Sequence, residues 1–366
     1  MPAMPTTLPL SSAPKSICLL RLSAIGDVTH ILPIVRTIQQ YWPETKITWI
    51  IGRLEHQLVG DIEGIEFIVF DKALGWRAYK GLYQILRKRS FDVFLHMQVS
   101  MRANLASLCV KAPIKLGFDK ARAKDYQWLF SNTRIEALKQ QHVLDGFFQF
   151  LSAMGLNKKV LRWDIPVPQE DIDWSLSLVG KRRVLVINPS SSQRANNWRN
   201  WQANRYAQLI HYAIRQYGMM VVLTGGPAKN ETRLVEEILD DDVFSKHPRL
   251  LDDIQILVGK TSLKQLAALM QKARVVVAPD TGPAHIANAV GVPVIGLYAT
   301  SNPKRTGPYS SQATTVNEYP AALLQYEGLD EKDAPWGKRV RNAEALDLIS
   351  VEKVKEKLDQ IMEATP

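Results

Sequence analysis

Ten short apolar runs of four to six residues alternate with helix-patterned segments along this chain, and no feature constrains its fold more. Val-, Ile- and Leu-rich runs of that length suit strands buried on both faces of a parallel sheet. Strands that take turns with helices imply an α/β architecture. The runs form two series. The first is Ile17–Leu22, Ile47–Ile51, Glu66–Phe70, Val93–Met97 and Ile114–Gly117. The second is Val184–Asn188, Met219–Thr224, Ile254–Val258, Arg274–Ala278 and Val294–Leu297. A long helix is expected from about Ala137 to Met154, and a charged amphipathic one from Val351 to Met362.

At 366 residues the chain exceeds the size at which a single core keeps growing. Two Rossmann-like domains are therefore expected, 16–165 and 181–345. The segment Trp163 to Ile172, with two prolines and several acids, starts a linker placed at 166–180. Residues 1–15 read as a flexible arm, without the apolar core of a signal peptide. Residues 346–366 read as a helix packing back on the first domain. No apolar run approaches the roughly 20 residues of a membrane span. Two cysteines, Cys18 and Cys109, read as reduced core thiols of a cytoplasmic protein.

The net charge of +10 is unevenly distributed. Between Arg77 and Lys139 stand thirteen basic and four acidic residues, an excess of +9. Arg102, Lys120, Arg122 and Lys124 flank loops expected at the active face. Such a cluster suits an anionic acceptor or an anionic membrane surface. Nucleic acid is not expected, because no recognition-helix, RRM or KH pattern accompanies the charge.

Two strand-turn-helix segments carry chemistry. In Val275 to His285 a β-branched run ends at Pro279, and Thr281 opens a helix of small residues. Unpaired N–H groups and the dipole at such a helix start attract phosphate. In Ser16 to Tyr41 a strand is followed by Ser23-Ala-Ile-Gly-Asp27 and a helix from Val28. Asp27 reads either as a simple cap or as a carboxylate aimed into a cleft. Neither half carries Gly-x-Gly-x-x-Gly or Gly-Lys-Ser/Thr, which argues against a dinucleotide oxidoreductase or a P-loop NTPase. The seven histidines lack metal-ligand spacing.

Arg21-Leu-Ser-Ala-Ile-Gly-Asp27 with His30 and Pro33 resembles the N-terminal signature of glycosyltransferase family 9, the ADP-heptose:lipopolysaccharide heptosyltransferases. Asp280-Thr-Gly-Pro-Ala-His285, Gly291-Val-Pro-Val and Tyr298 resemble the family's nucleotide-sugar segment. Leu223 to Glu231 fits as the loop beside the nucleoside. His96-Met-Gln, Gly117-Phe-Asp and Gln141-His142 look most like heptosyltransferase I, which adds the first heptose to Kdo on lipid A. The resemblance runs from Ile17 to about Pro308.

It implies a GT-B fold, two Rossmann-like parallel-sheet domains facing a central cleft. It also implies inverting transfer without a metal or other cofactor, ADP-heptose being a substrate. No Asp-x-Asp stands at a strand end to hold a cation. Asp27 matches the family's proposed base, and an ordinary aspartate, with a pKa near 4, is ionised at neutral pH. Asp280 would hold heptose hydroxyls, Thr281 and Gly282 the diphosphate, with His285 beside it. Glu231 would bind the ribose, and Ser190, Ser191 and Ser192 would wrap the phosphates. His142 joins the basic cluster as an acceptor contact. Many relatives place a Lys two residues before the Trp matching Trp198; here that position is Asn196, and Arg194 is expected to supply the charge. Trp198 and Trp201 are expected to pack behind the phosphate loop. The implied partners are the sugar nucleotide, Kdo–lipid A and an anionic inner membrane touched from the cytoplasmic side. Heptosyltransferase II, a relative using another sugar nucleotide, and a non-catalytic sugar-nucleotide-binding GT-B protein are the alternatives.

Overall fold

The computed structural model describes residues 7–190 and 198–364, and the chain divides into two compact units, Met1–Pro166 and Val167–Pro366. Each unit is built on one six-stranded sheet, all of whose pairings are parallel. The first sheet comprises β1 (Ser16–Leu20), β2 (Lys46–Gly52), β3 (Ile65–Phe70), β4 (Val93–His96), β5 (Ile114–Gly117) and β6 (Thr133–Arg134). The second comprises β7 (Val184–Ile187), β8 (Met220–Leu223), β9 (Ile254–Ile256), β10 (Val275–Pro279), β11 (Val294–Tyr298) and β12 (Val316–Asn317). Their orders are β3-β2-β1-β4-β5-β6 and β9-β8-β7-β10-β11-β12, the same arrangement twice. In each, the first strand of its series pairs on either side, so that Ile17 faces both Ile47 and Val93. The chain reverses its direction of travel across the sheet at that point, which leaves a crevice at the strands' carboxyl ends.

All ten expected strands are present. The two added ones, β6 and β12, are two-residue edge pairings too short to show a pattern. The central strands are buried on both faces, β1 through Ile17, Cys18, Leu19 and Leu20 and β7 along its whole length. Close packing near the first crevice needs Gly52. A Cβ there would stand 2.2 Å from the Leu22 carbonyl oxygen, the same oxygen that accepts the Gly52 N–H at 3.1 Å.

Several expectations change. The segment 166–180 is not an open linker: Gln169–Val179 is a helix, packed on the helix Leu263–Lys272 within the second unit. Its stop is Gly180, whose φ of +58° suits glycine. The C-terminal helix Val351–Glu363 places Val351, Val354 and Leu358 in the second unit's core, against the helix Ala203–Tyr217, not on the first domain. Tyr212 and Tyr217 of that helix both donate to the Asp359 carboxylate, at 2.9 and 2.6 Å. The helix expected from Ala137 begins only at Val143, because Gln140 adopts a φ of +54° and His142 caps the new start. Of the N-terminal arm, Leu10 donates to the Met154 carbonyl and Pro14 accepts from Thr45, so its later residues lie against the first unit. Among the described residues no helix is long and apolar enough to cross a membrane.

Candidate active site

In the first unit the crevice lies where β1 and β4 end. Arg21 leaves β1 with its guanidinium nearly buried, 5.4 Å from the Phe147 ring centroid. One terminal nitrogen donates to the Met97 carbonyl just past β4, at 2.7 Å, and the other forms an ion pair with Asp27. The Asp27 side chain keeps 34% of its exposure. A fixed cation therefore aims a carboxylate that still meets solvent.

Asp27 is not the helix cap. The helix starts at Ile25, three residues earlier than the pattern indicated, with Ala24 as a cap that makes no side-chain bond. Asp27 lies in the first turn, where the helix dipole favours its negative form. The loop before it is fastened by Gln98, whose Oε1 accepts from the Leu22 and Ser23 N–H groups at 2.6 and 3.3 Å. Gln98 is anchored in turn: Gln127 donates to its carbonyl at 3.2 Å and to that of His96 at 2.7 Å. The Gln127 amide nitrogen also lies 3.1 Å from His96 Nδ1. Burial drives the His96 pKa down from 6.5 to about 4.

His142 is buried, and its Nδ1 accepts the Leu144 N–H at 3.1 Å, which leaves the ring proton on Nε2. Its ring meets that of His30 edge-on, centroids 5.3 Å apart. The expected acceptor cations divide. Arg102 on the helix Met101–Ser107 and Lys120 and Lys124 after β5 are exposed. Arg122 is instead engaged within the loop, in an ion pair with Asp119 and donating to the Glu136 carbonyl at 2.8 Å.

The second unit gathers its polar groups at the ends of β7, β8 and β10. Thr281 caps the helix Gly282–Ala289, its hydroxyl accepting from Ala284 at 3.4 Å. Pro283 has no N–H, so Gly282 is the amide presented ahead of the capped one. Asp280 is buried just before it and accepts a 2.9 Å bond from the Ser301 hydroxyl. His285 is buried one turn into the helix. Asn188 ties β7 to β8 by donating to the Thr224 carbonyl at 3.1 Å. Ser190, buried next to it, has a hydroxyl with no hydrogen-bond partner among the described residues. Glu231 is buried under the loop after β8, its Oε2 accepting the Gly226 N–H at 2.7 Å. Ser191, Ser192, Arg194 and Asn196 lie outside the described residues.

Arg199, which with Arg194 is the cation nearest Asn196 in the sequence, was not the one assigned the charge there. It donates to the Asp280 carbonyl at 2.5 Å and approaches the same residue's carboxylate to 3.5 Å. A signal was present. Arg199-Asn-Trp201 places a cation two residues before a tryptophan, the very spacing expected of the phosphate-binding Lys. Trp201 is the fully buried tryptophan, its Nε1 donating to the Ile349 carbonyl at 2.9 Å, whereas Trp198 is only half-buried. Counting from Trp201 in place of Trp198 puts Arg199 at the position of that Lys. Gln98 and Ser301 were missed, since neutral side chains that brace a loop leave no charge or spacing signature.

Two 3-2-1-4-5-6 parallel sheets, one in each unit, are the architecture of the GT-B fold. The profile of glycosyltransferase family 9 (heptosyltransferase) matches residues 80–327, and the chain belongs to that family. Lipopolysaccharide core heptosyltransferase OpsX of Haemophilus influenzae is 38% identical over 94% of this chain and 96% of its own length. Lipopolysaccharide heptosyltransferase 1 of Escherichia coli K12 is 21% identical over 80% of this chain and 90% of its own. Among solved structures, a family 9 glycosyltransferase of Veillonella parvula superposes with a TM-score of 0.75 at 22% identity, covering 96% of this chain and 98% of that one. E. coli heptosyltransferase WaaC with ADP gives 0.69 at 20%, covering 94% and 99%.

Proposed function

We propose that this enzyme transfers heptose from ADP-heptose to a Kdo residue of Kdo–lipid A, with inversion, in assembly of the lipopolysaccharide core. The observation that carries the reading is the Arg21–Asp27 pair, a carboxylate held by a buried cation yet open to solvent at the end of β1. Asp27 takes the proton from the attacking acceptor hydroxyl. That oxygen bonds to the anomeric carbon as the bond from carbon to the diphosphate oxygen breaks, and ADP leaves with the electron pair. Attack on the face opposite the leaving group inverts the anomeric centre.

The second unit holds the donor in this reading. The Gly282 amide and the helix dipole stabilise charge on the departing diphosphate, with Arg199 as the nearby cation. Asp280, fixed by Arg199 and Ser301, meets heptose hydroxyls, and Ser190 contributes its unpartnered hydroxyl. Glu231 is assigned to the ribose and His285 to the flank of the diphosphate. Lys120, Lys124 and Arg102 meet acceptor phosphates and carboxylates, while Arg122 braces their loop. His142, held by its capping bond to Leu144, is assigned to the acceptor. No metal or other cofactor is assigned a role, and the work is placed at the cytoplasmic face of the inner membrane.

The structure of E. coli heptosyltransferase WaaC with ADP-2-deoxy-2-fluoro heptose supports the donor class. The acceptor is the finer question, because relatives numbered 1, 2 and 3 match at 21%, 29% and 25% identity. Purified enzyme with ADP-heptose should heptosylate Kdo–lipid A and leave an already heptosylated acceptor unchanged, as read by mass spectrometry. Preference for the heptosylated acceptor would reassign the enzyme to the second heptose.

A further inference from the structure

We propose that the helix Trp76–Leu86 and its neighbour Met101–Ser107 form a surface on the first unit that docks onto an anionic lipid bilayer. The helix Trp76–Leu86 buries Ala78, Leu82 and Leu86 in the core on one side of the first sheet. Its opposite stripe, at spacings of three and four residues, is Trp76, Lys80, Tyr83 and Arg87. Trp76 is 77% exposed, more than any other large apolar side chain among the described residues, and Leu74 just before it and Tyr83 are more than half exposed. A tryptophan left in water on a folded surface loses the burial that its ring area offers.

The neighbouring helix extends the patch. It packs on the same core through Ala103 and Ala106, and Lys111 beyond it donates to the Arg87 carbonyl at 2.8 Å. Met101 and Leu108 at its two ends are exposed, Leu108 by 64%. Exposed single apolar residues are ordinary, but five along two adjacent helices and the residues that flank them are a patch.

Charge selects the occupant. No acidic residue occurs from Lys72 to Phe91, and none from Ser100 to Phe118. Aromatic rings with amphipathic edges, interleaved with more lysine and arginine than the two flanking carboxylates, Asp71 and Asp125, offset, match the headgroup region of an anionic membrane. A protein partner's groove would take the rings without needing the field of uncompensated cations. Each basic side chain near an anionic leaflet adds about fivefold to partitioning.

The test uses the full chain and flotation with two kinds of vesicle, phosphatidylcholine alone and phosphatidylcholine with phosphatidylglycerol in equal parts. Wild-type protein is expected to float with the anionic vesicles, to stay behind with the neutral ones, and to be released by high salt. Lys80→Glu with Arg87→Glu should lower the partition coefficient by at least about tenfold, and Trp76→Ala with Tyr83→Ala should lower it even at low salt. All four side chains are exposed, so melting temperature and ADP affinity should match wild type. No flotation of wild type on anionic vesicles overturns the proposal, as does unchanged flotation of both double variants. Flotation needs no sugar donor or acceptor, so its result is separate from that of the transfer assay.

Discussion

Arg199 and Asp280 are each explained by the other. The guanidinium bonds the Asp280 carbonyl and faces its carboxylate, which fixes the residue just before the capped helix start. In the proposed function the same cation is assigned to the departing diphosphate. Arg199→Ala should weaken ADP binding by about 10- to 100-fold, the value of a hydrogen bond to a charged group, about 1.5–3 kcal/mol. Arg199→Lys should recover part of it, since the charge returns without the fork. Calorimetric titration with ADP checks both, and an unchanged affinity in the alanine variant removes Arg199 from the donor site. The places of Asp27 and Asp280 at strand-to-helix turns were legible in the sequence, because each stands between a strand and the body of a helix. The role of Arg199 was left open, because two tryptophans three residues apart offer two registers. Arg122 looked like one more acceptor cation, and only its bonds to Asp119 and Glu136 reveal a brace.

At the scale of elements, the ends of β1, β4 and β5 are joined by one set of buried amides. Gln127 reaches the His96 and Gln98 carbonyls, and Gln98 reaches the loop that presents Asp27. The neutral His96 ring within this set makes stability depend on pH. Its pKa is about 4 in the folded chain against an ordinary 6.5, so between those values the unfolded chain binds more protons. The contribution is whole above about pH 6.5 and is lost as pH falls toward 4, with a slope approaching about 1.4 kcal/mol per pH unit. Urea midpoints measured across that range should fall for wild type and fall less steeply for His96→Gln. Equal slopes would show that His96 is not the group responsible. Strand periodicity revealed the two sheets because central strands are apolar on both faces. It did not reveal where helices begin. His142 starts one by accepting a backbone N–H, a capping role that histidine seldom announces, and the prolines at 166 and 168 hid a helix that Gly180 ends.

Across the whole molecule, the same sheet order occurs twice with different chemistry at each crevice. The first unit offers a carboxylate, buried histidines and a basic rim; the second offers a helix start, a cation and buried hydroxyls. Family 9 membership agrees with this division, and composition also foreshadowed it, since nearly all the excess positive charge falls in the first unit. The C-terminal helix shows the limit of such reading. Its amphipathic face was plain, but only the core holding Val354 and Leu358 decides which unit it serves.

The most direct test of the account is Asp27→Asn, assayed for both transfer and donor binding. The isosteric amide keeps the shape of the carboxylate but accepts no proton. Heptose transfer to Kdo–lipid A should fall by about 10²- to 10⁴-fold while the ADP-heptose dissociation constant stays within about twofold of wild type. Transfer at a rate near wild type would contradict the central claim and move the base elsewhere in the chain.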